Sequence, residues 1–367
     1  MPSQPHFKPL AIAALASAFA GGVHAAEDFR VRYNLVGTIG GEIFAPAPSP
    51  GWIGAVAVTY VDGKKLTGDD GNDLTLMAPG GTVPLAPGGT PLDPSYTANK
   101  VTLKSSGRAS IGALALAYVQ NEKIAGGHLV FSGVLPLAQT RTAITPVNSI
   151  PSLNWPNATM PVDGVKAGVG TQFASSYQAN IQGLADERNG KVTGLGDLEL
   201  SVGWLYAEGP WKVRAGTALV LPTGKYSPSP GPDTGLGNFY TLRPEAQVTY
   251  LPSEKWAVSG KAVLGFNTRN RDNQLRSGDW YGLEAAAGYM TALGPTGLHA
   301  VHVKQYEDDQ NNTLFGASRF ELNGVGAFFT TRIPVIDAAV TLQHMVTTSS
   351  KNARHSNFTQ LRMVKRF

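Results

Sequence analysis

From Asp197 onward the chain alternates apolar and polar residues with a period of two. In 197–206 (DLELSVGWLY), Leu198, Leu200, Val202, Trp204 and Tyr206 fall on one face, and Asp197, Glu199, Ser201 and Gly203 on the other. The run 211–221 repeats the pattern: Trp211, Val213, Ala215, Thr217, Leu219 and Leu221 oppose Lys212, Arg214, Gly216 and Ala218. In 240–250, Tyr240, Leu242, Pro244, Ala246, Val248 and Tyr250 oppose Thr241, Arg243, Glu245, Gln247 and Thr249. Successive side chains of a strand point to opposite faces, so these runs predict strands with one apolar and one polar side. Aromatic residues mark the ends of the apolar faces. A soluble sandwich also alternates but gives no reason for that placement, whereas a lipid-facing band flanked by aromatic girdles does.

Twelve strands are predicted, at 51–66, 107–120, 126–139, 194–208, 210–223, 237–251, 255–269, 276–292, 297–309, 316–332, 335–349 and 355–367, with ten or fourteen as alternative counts. Their connections alternate in length. Those near Asn121-Glu122, Glu208-Gly209, Pro252-Ser253, Gly294-Pro295 and Ile333-Pro334 are tight, while 67–106, 140–193 and 224–236 are long. Short periplasmic turns opposite longer extracellular loops belong to outer-membrane barrels, and an even strand count returns both termini to the periplasmic side. The expected fold is all-β, a membrane-spanning antiparallel up-and-down β-barrel over 51–367. Near its end Leu361, Met363, Lys365 and Phe367 share a face, with Lys365 snorkelling to the interface. A last strand closing on Phe resembles the signal read by the outer-membrane assembly machinery. The Pro- and Gly-rich loops 78–94 and 145–161 read as irregular external segments, either folded over the mouth or forming a disordered crown.

The N-terminus predicts export. Lys8, the apolar run 10–20 and Val23-His24-Ala25 read as a secretory signal peptide over 1–25. The following segment, 26–50, leads into a glycine- and proline-rich stretch (YNLVGTIGGEIFAPAPSPG, 33–51) that is either a periplasmic lead-in or a plug entering the lumen.

Composition agrees with this picture. Charged residues make up 15% of the 367, cysteine is absent, and the formal charge of +4 is scattered along the chain, so no nucleic-acid footprint is indicated. A hydrophobic share of 42% excludes a disordered chain. Apolar runs in the body of the protein, such as 111–119, stop well short of the roughly 18 residues that a membrane helix needs. Without cysteine there is no disulfide scaffold and no thiolate-held metal.

Candidate lumen residues are those opposite the lipid face: Asp197, Glu199, Lys212, Arg214, Arg243, Glu245, Lys261, Glu284, His302, Lys304, Glu321, Arg362 and Arg366. They read either as a solute pathway or as ion pairs that fill and stiffen a narrow barrel. Candidate girdle aromatics are Trp204, Tyr206, Trp211, Tyr240, Tyr250, Trp256 and Phe367. No catalytic, cofactor or metal site is expected. His299 and His302 fall on opposite faces of a strand, and His128, His344 and His355 lack nucleophile spacing. Asp69-Asp70-Gly71-Asn72-Asp73 is oxygen-rich but lacks the twelfth-position Glu of a calcium loop, and Glu307-Asp308-Asp309 reads as a solvated strand end. Gly194-Leu195-Gly196 and Leu221-Pro222-Thr223-Gly224 are not phosphate loops, since no Lys-Ser/Thr follows.

Four stretches resemble the outer-membrane proteins of the meta-pathway phenol-degradation type. They are GGEIFAPAPSPGWIGAVAVTYVDG (40–63); GLGDLELSVGW (194–204) with LVLPTGKYSP (219–228) and GNFYTLRPEAQVTYL (237–251); FNTRNRDNQLRSGDWYGLEAAAGY (266–289); and GLHAVHVKQYEDD (297–309). Loop 140–193 departs from the family pattern. The resemblance implies a channel-like barrel for uptake of small hydrophobic or aromatic compounds such as phenolics, with no cofactor. Its implied partners are those solutes, outer-membrane lipids and lipopolysaccharide, and the barrel assembly machinery. Two other classes compete: a structural or interaction barrel without transport, and a barrel lipid hydrolase.

Overall fold

The computed structural model describes residues 32–33, 38–46, 49–157, 161–228, 231–311 and 318–367. The signal peptide expected at 1–25 lies outside them. Twelve spans close into an antiparallel barrel. The wall begins with β1 (Gly51–Leu66), after which β2 (Thr75–Ala78), β3 (Gly81–Thr82) and β4 (Ser95–Tyr96) are short strands of the first long loop. It continues through β5 (Asn99–Ile124), β6 (Gly127–Asn148), and β7 (Gly190–Leu195) with β8 (Leu198–Glu208) as one interrupted span. Then follow β9 (Trp211–Leu221), β10 (Thr241–Tyr250), β11 (Trp256–Asn267), β12 (Trp280–Thr291) and β13 (Gly294–Gln305). The last three are β14 (Glu321–Ile333), β15 (Ala338–Lys351) and β16 (Arg354–Arg366), and β16 pairs with β1 to complete the ring.

Alternation built the wall as expected. Along β11, Trp256, Val258, Leu264 and Phe266 are exposed outward, while Ala257, Ser259, Lys261, Val263 and Asn267 are buried inside. The outer face is a belt of exposed apolar side chains, among them Val58, Leu114, Leu200, Leu283, Leu298 and Leu342. A belt of this extent is stable only against lipid. At the short-turn end it is bounded by cross-strand aromatic pairs: Trp52–Tyr118 at 5.0 Å, Trp211–Tyr250 at 4.4 Å and Trp256–Tyr289 at 4.9 Å between ring centroids. Trp204 stacks on Tyr206 in the same girdle, at 5.5 Å. Phe367 follows β16 at that end, its backbone N–H donating to Trp52. Tyr240 lies at the opposite end, one residue before β10, with the Arg271 guanidinium 5.0 Å above its ring. The β5–β6 turn is tight because Ala125 and Gly126 both adopt positive φ (49° and 81°), the geometry a two-residue hairpin requires.

The long-loop end departs from expectation. Strands β5 and β6 have 26 and 22 residues, about twice what a membrane crossing takes. Their excess projects beyond the belt and, with β2, carries a helix, α2 (Asp163–Asp186), where irregular loop was expected. Four side chains spaced by four, Phe173, Tyr177, Ile181 and Ala185, pin α2 to this extension. Phe173, Tyr177 and Ile181 pack on Ala78, Tyr96 and Val101, and Ala185 joins Leu66, Leu74 and Ile144. Glycines at 164, 168, 170 and 183 lower helix propensity and masked this segment in the sequence pattern. Packing of the aromatic stripe supplies the stability that propensity does not.

Candidate functional site

The inward faces of β8–β12 carry an ion-pair ladder. Arg243 on β10 pairs with Glu199 on β8. Glu245 sits between Arg214 at 3.4 Å and Lys261 at 3.2 Å, and Lys261 reaches on to Glu284 at 3.7 Å. The alternation of β10 places Arg243 and Glu245 two apart on one face, and antiparallel pairing sets Lys261 beside Gln247 and Glu284 on the neighbouring strands. Burial of such groups is sustained by mutual pairing and by hydrogen bonds that satisfy the remaining donors and acceptors.

The described residues of the segment before β1 lie against this ladder. Arg32, almost fully buried, donates to Asp197 at 2.9 Å, to the Gly237 carbonyl at 2.8 Å and to the Phe239 carbonyl. Asp197, between β7 and β8, also accepts from the backbone N–H groups of Gly224 and Leu236, each at 3.0 Å. Arg243 returns a hydrogen bond to the Arg32 carbonyl at 2.8 Å, and the Tyr33 hydroxyl donates to Glu284 at 2.8 Å. Gly282 makes the Tyr33 approach feasible, since a Cβ there would lie 2.3 Å from the Tyr33 ring. One turn of helix follows, α1 (Thr38–Glu42). Ile39 and Ile43 are fully buried against Ala257, Ala286 and Phe328, and Glu42 reaches Arg214 at 3.7 Å and Arg362 at 3.5 Å. Lys212 donates to the Ala45 carbonyl.

Opposite the ladder the lumen is open. A cavity of about 1770 Å³ is bounded there by β1, β5 and β6, whose inward residues are mostly small and apolar, with Ser132, Thr140 and Thr142 of β6 among them. On β5 they are Ala109, Ile111, Ala113, Ala115 and Ala117; Ala115 lies in register between Ala55 of β1 and Val134 of β6. Ala57, Val130, Pro136 and Ala138 extend this wall. The passage is therefore two-sided, with small hydrocarbon groups facing paired charges. The sequence list of charged lumen residues missed the apolar half. Its signal was the run 111–119 (IGALALAYV), apolar on both faces of a strand.

Three candidate lumen residues are corrected. His302, Lys304 and Glu321 point outward, at the loop end of β13 and β14. His302 lies between the Tyr281 hydroxyl at 3.2 Å and Asn323 at 2.7 Å, and Lys304 pairs with Glu321 at 3.4 Å. The inward face of β13 belongs to His299, Val301, Val303 and Gln305, because a hydrophobic cluster of Val263, Trp280, Val301, Val303, Phe320, Met345 and Phe358 occupies that side of the interior. Asp197, Glu199, Lys212, Arg214, Arg243, Glu245, Lys261, Glu284, Arg362 and Arg366 all face inward, with Arg366 against Ser49.

The acidic loop motifs are engaged by the protein itself. Hydrogen bonds from Asn72 hold the Asp70 carboxyl below its ordinary range, Asp73 pairs with Lys104, and Asn352 donates to Asp69 at 2.6 Å. At the exposed strand end, Glu307 pairs with Arg276 at 3.0 Å, Asp308 with Arg319 at 2.6 Å, and Asp309 accepts from the Gly278 N–H at 3.1 Å. Among the described residues there is no group of three or more metal-ligating side chains, and no helix is long and apolar enough to cross a membrane.

The family profile described as "Putative MetA-pathway of phenol degradation" matches residues 93–362. No match was found among the curated proteins. Among solved structures, the chain is similar to an outer membrane channel from Pseudomonas putida F1, with a TM-score of 0.61 and 15% identity over 91% of this chain and 100% of that one. It also aligns with the CymD monoaromatic hydrocarbon channel, with a TM-score of 0.36 and 11% identity over 96% of this chain and 97% of that one.

Proposed function

Because this chain belongs to the phenol-degradation MetA-pathway family, we propose that it is an outer-membrane channel for passive uptake of small hydrophobic or aromatic compounds, phenolics among them. The observation that carries this reading is the two-sided lumen: an apolar wall on β1, β5 and β6 facing an ion-pair ladder across about 1770 Å³. Burying about 100 Å² of an aromatic solute on that wall contributes about 2.5 kcal/mol. That strength suits conduction, which needs sites favourable enough to enter and weak enough to leave. The ladder keeps the opposite side polar, so a phenolic hydroxyl has hydrogen-bonding partners while its ring contacts alanine.

In this reading the segment 26–50 follows a cleaved signal peptide over 1–25 and acts as a lumen plug. Its support is the set of contacts made by Arg32, Tyr33 and residues 38–46. The lumen charges are engaged with one another and with this segment, an arrangement that favours a channel over an enzyme. Aromatics at the turn end anchor the barrel in outer-membrane lipid.

The test is initial uptake of dilute aromatic, alkyl and hydrophilic solutes by cells with intact outer membranes, with and without the protein at matched surface abundance. Faster entry of the apolar and aromatic members alone is expected. Equal rates across the panel would replace the channel by a structural or interaction role.

A further inference from the structure

Three cations stand side by side on the outer wall. Arg108 of β5 is in direct register with Arg141 of β6, and Arg141 with Lys191 of β7. Arg108 shares the strand parity of the outward Leu114 and Leu116, Arg141 that of Leu135 and Leu137, and Lys191 that of Leu195, so all three side chains turn outward, where they are exposed. Among the described residues none of the three forms a salt bridge. Asp62 on β1, in direct register with Arg108, is the one carboxylate facing this row, and it is shared between Arg108 and its ion-pair partner Lys64, so the cations outnumber it. Like charges directly opposite on a sheet are destabilising. Three in a row mark a place where something anionic belongs.

Their height identifies the anion. Arg108 lies ten positions along β5 from Tyr118 of the turn-end girdle. At about 3.3 Å per residue and a strand tilt of about 40°, that separation is about 25 Å of membrane normal, the height of the apolar band of such barrels. The cations therefore sit where hydrocarbon gives way to headgroups, at the long-loop end, which in outer-membrane barrels faces outward. Directly towards the turn end from them, Leu114, Leu116, Leu135, Leu137 and Leu195 form an exposed apolar strip. A free phosphate uses only the cations. A phosphate carrying acyl chains uses the strip as well.

We propose that Arg108, Arg141 and Lys191 form a binding site for the lipid-borne phosphate of an outer-leaflet glycolipid, with its acyl chains lying along the leucine strip. The two guanidinium forks bind phosphate oxygens bidentately and Lys191 adds a point charge. The site is on the outer wall and does not depend on what passes through the lumen.

The test uses the full chain, purified and folded in detergent, incubated with bisphosphorylated lipid A or with its dephosphorylated form. Excess lipid is removed and the bound lipid quantified by mass spectrometry. Bisphosphorylated lipid A is expected to be retained, and the combined variant Arg108→Gln, Arg141→Gln, Lys191→Gln to lose about tenfold or more of that retention while solute uptake is unchanged. Millimolar inorganic phosphate should not displace it. Equal retention of the dephosphorylated lipid by the unaltered protein overturns the proposal, and this comparison stands even if the variant fails to assemble. Equal retention by an assembled variant overturns it too, and displacement by inorganic phosphate reassigns the site to a soluble anion.

Discussion

Leu114 and Ala115 are consecutive on β5, at nearly the same depth, and the barrel predicts opposite outcomes for one substitution at the two. Leu114 is 60% exposed, in register with Val56 and Leu135 on the outer face, whereas Ala115 faces the cavity between Ala55 and Val134. Four positions from Tyr118, Leu114 stands about 10 Å above the turn-end girdle, close to the middle of a band about 25 Å tall. Leu114→Arg puts a guanidinium against acyl chains, at a cost of about 2–4 kcal/mol near the midplane. Ala115→Arg places the same group in an open cavity of about 1770 Å³ opposite a carboxylate-bearing ladder, where water and counter-charges solvate it. Its expected stability cost is small, below about 1 kcal/mol, while the narrowed and now charged wall slows entry of apolar solutes. Equilibrium unfolding in lipid vesicles measures the first effect and whole-cell uptake of an aromatic solute the second. Equal destabilisation by both variants, or normal apolar uptake through a correctly assembled Ala115→Arg barrel, would refute the two-sided lumen.

Three further outcomes are expected. Arg32→Ala leaves the Asp197 carboxylate buried without its cation, costing about 3–5 kcal/mol locally; the segment before β1 should loosen, seen as higher single-channel conductance, and unchanged conductance would remove Arg32 as its latch. Phe173→Ala should cost about 3–5 kcal/mol of α2 docking, exposing α2 amides to hydrogen exchange while the barrel keeps its heat-modifiable gel shift. Burial alone would raise the Asp93 pKa, but hydrogen bonds from the Leu85 N–H and from the Thr90 N–H and hydroxyl hold it below the ordinary carboxylate range. A depressed carboxyl stabilises the loop above the unfolded value of about 3.9 and loses that contribution as pH falls through the folded value. Exchange protection at Leu85 and Thr90 should hold from neutral pH down to about 5 and collapse only in stronger acid; loss beginning above that would contradict the assigned hydrogen bonds.

How much of this was legible in the sequence depended on whether lipid was the neighbour. Within the belt the contrast between faces is greatest, so the runs that became β8, β9 and β10 are legible in the alternation. Beyond the belt both faces of β5 and β6 meet water or protein, the contrast fades, and the extensions at 99–106 and 140–148 were read as loop. For α2, the i, i+4 stripe of Phe173, Tyr177, Ile181 and Ala185 was visible in principle but diluted by glycine. In the lumen, the polar positions between apolar ones on β8–β12 lie on the inward face. On β13 the rule inverted, because a hydrophobic cluster inside the barrel took Val301 and Val303 and left His302 and Lys304 outside. Period two reveals that two environments differ, and which is the interior must come from the neighbouring strands.

The pairing of β1 with β16 sets the order of events during biogenesis. Ile53 meets Arg366 and Leu66 meets Arg354, so the ring is sealed by partners separated by most of the polypeptide. Loop-closure entropy opposes such a contact until nearly everything between is organised. Until then β1 and β16 each present a free edge, the surface most prone to wrong pairing. The final step of closure is therefore a zippering in which the first wall strand waits for the last.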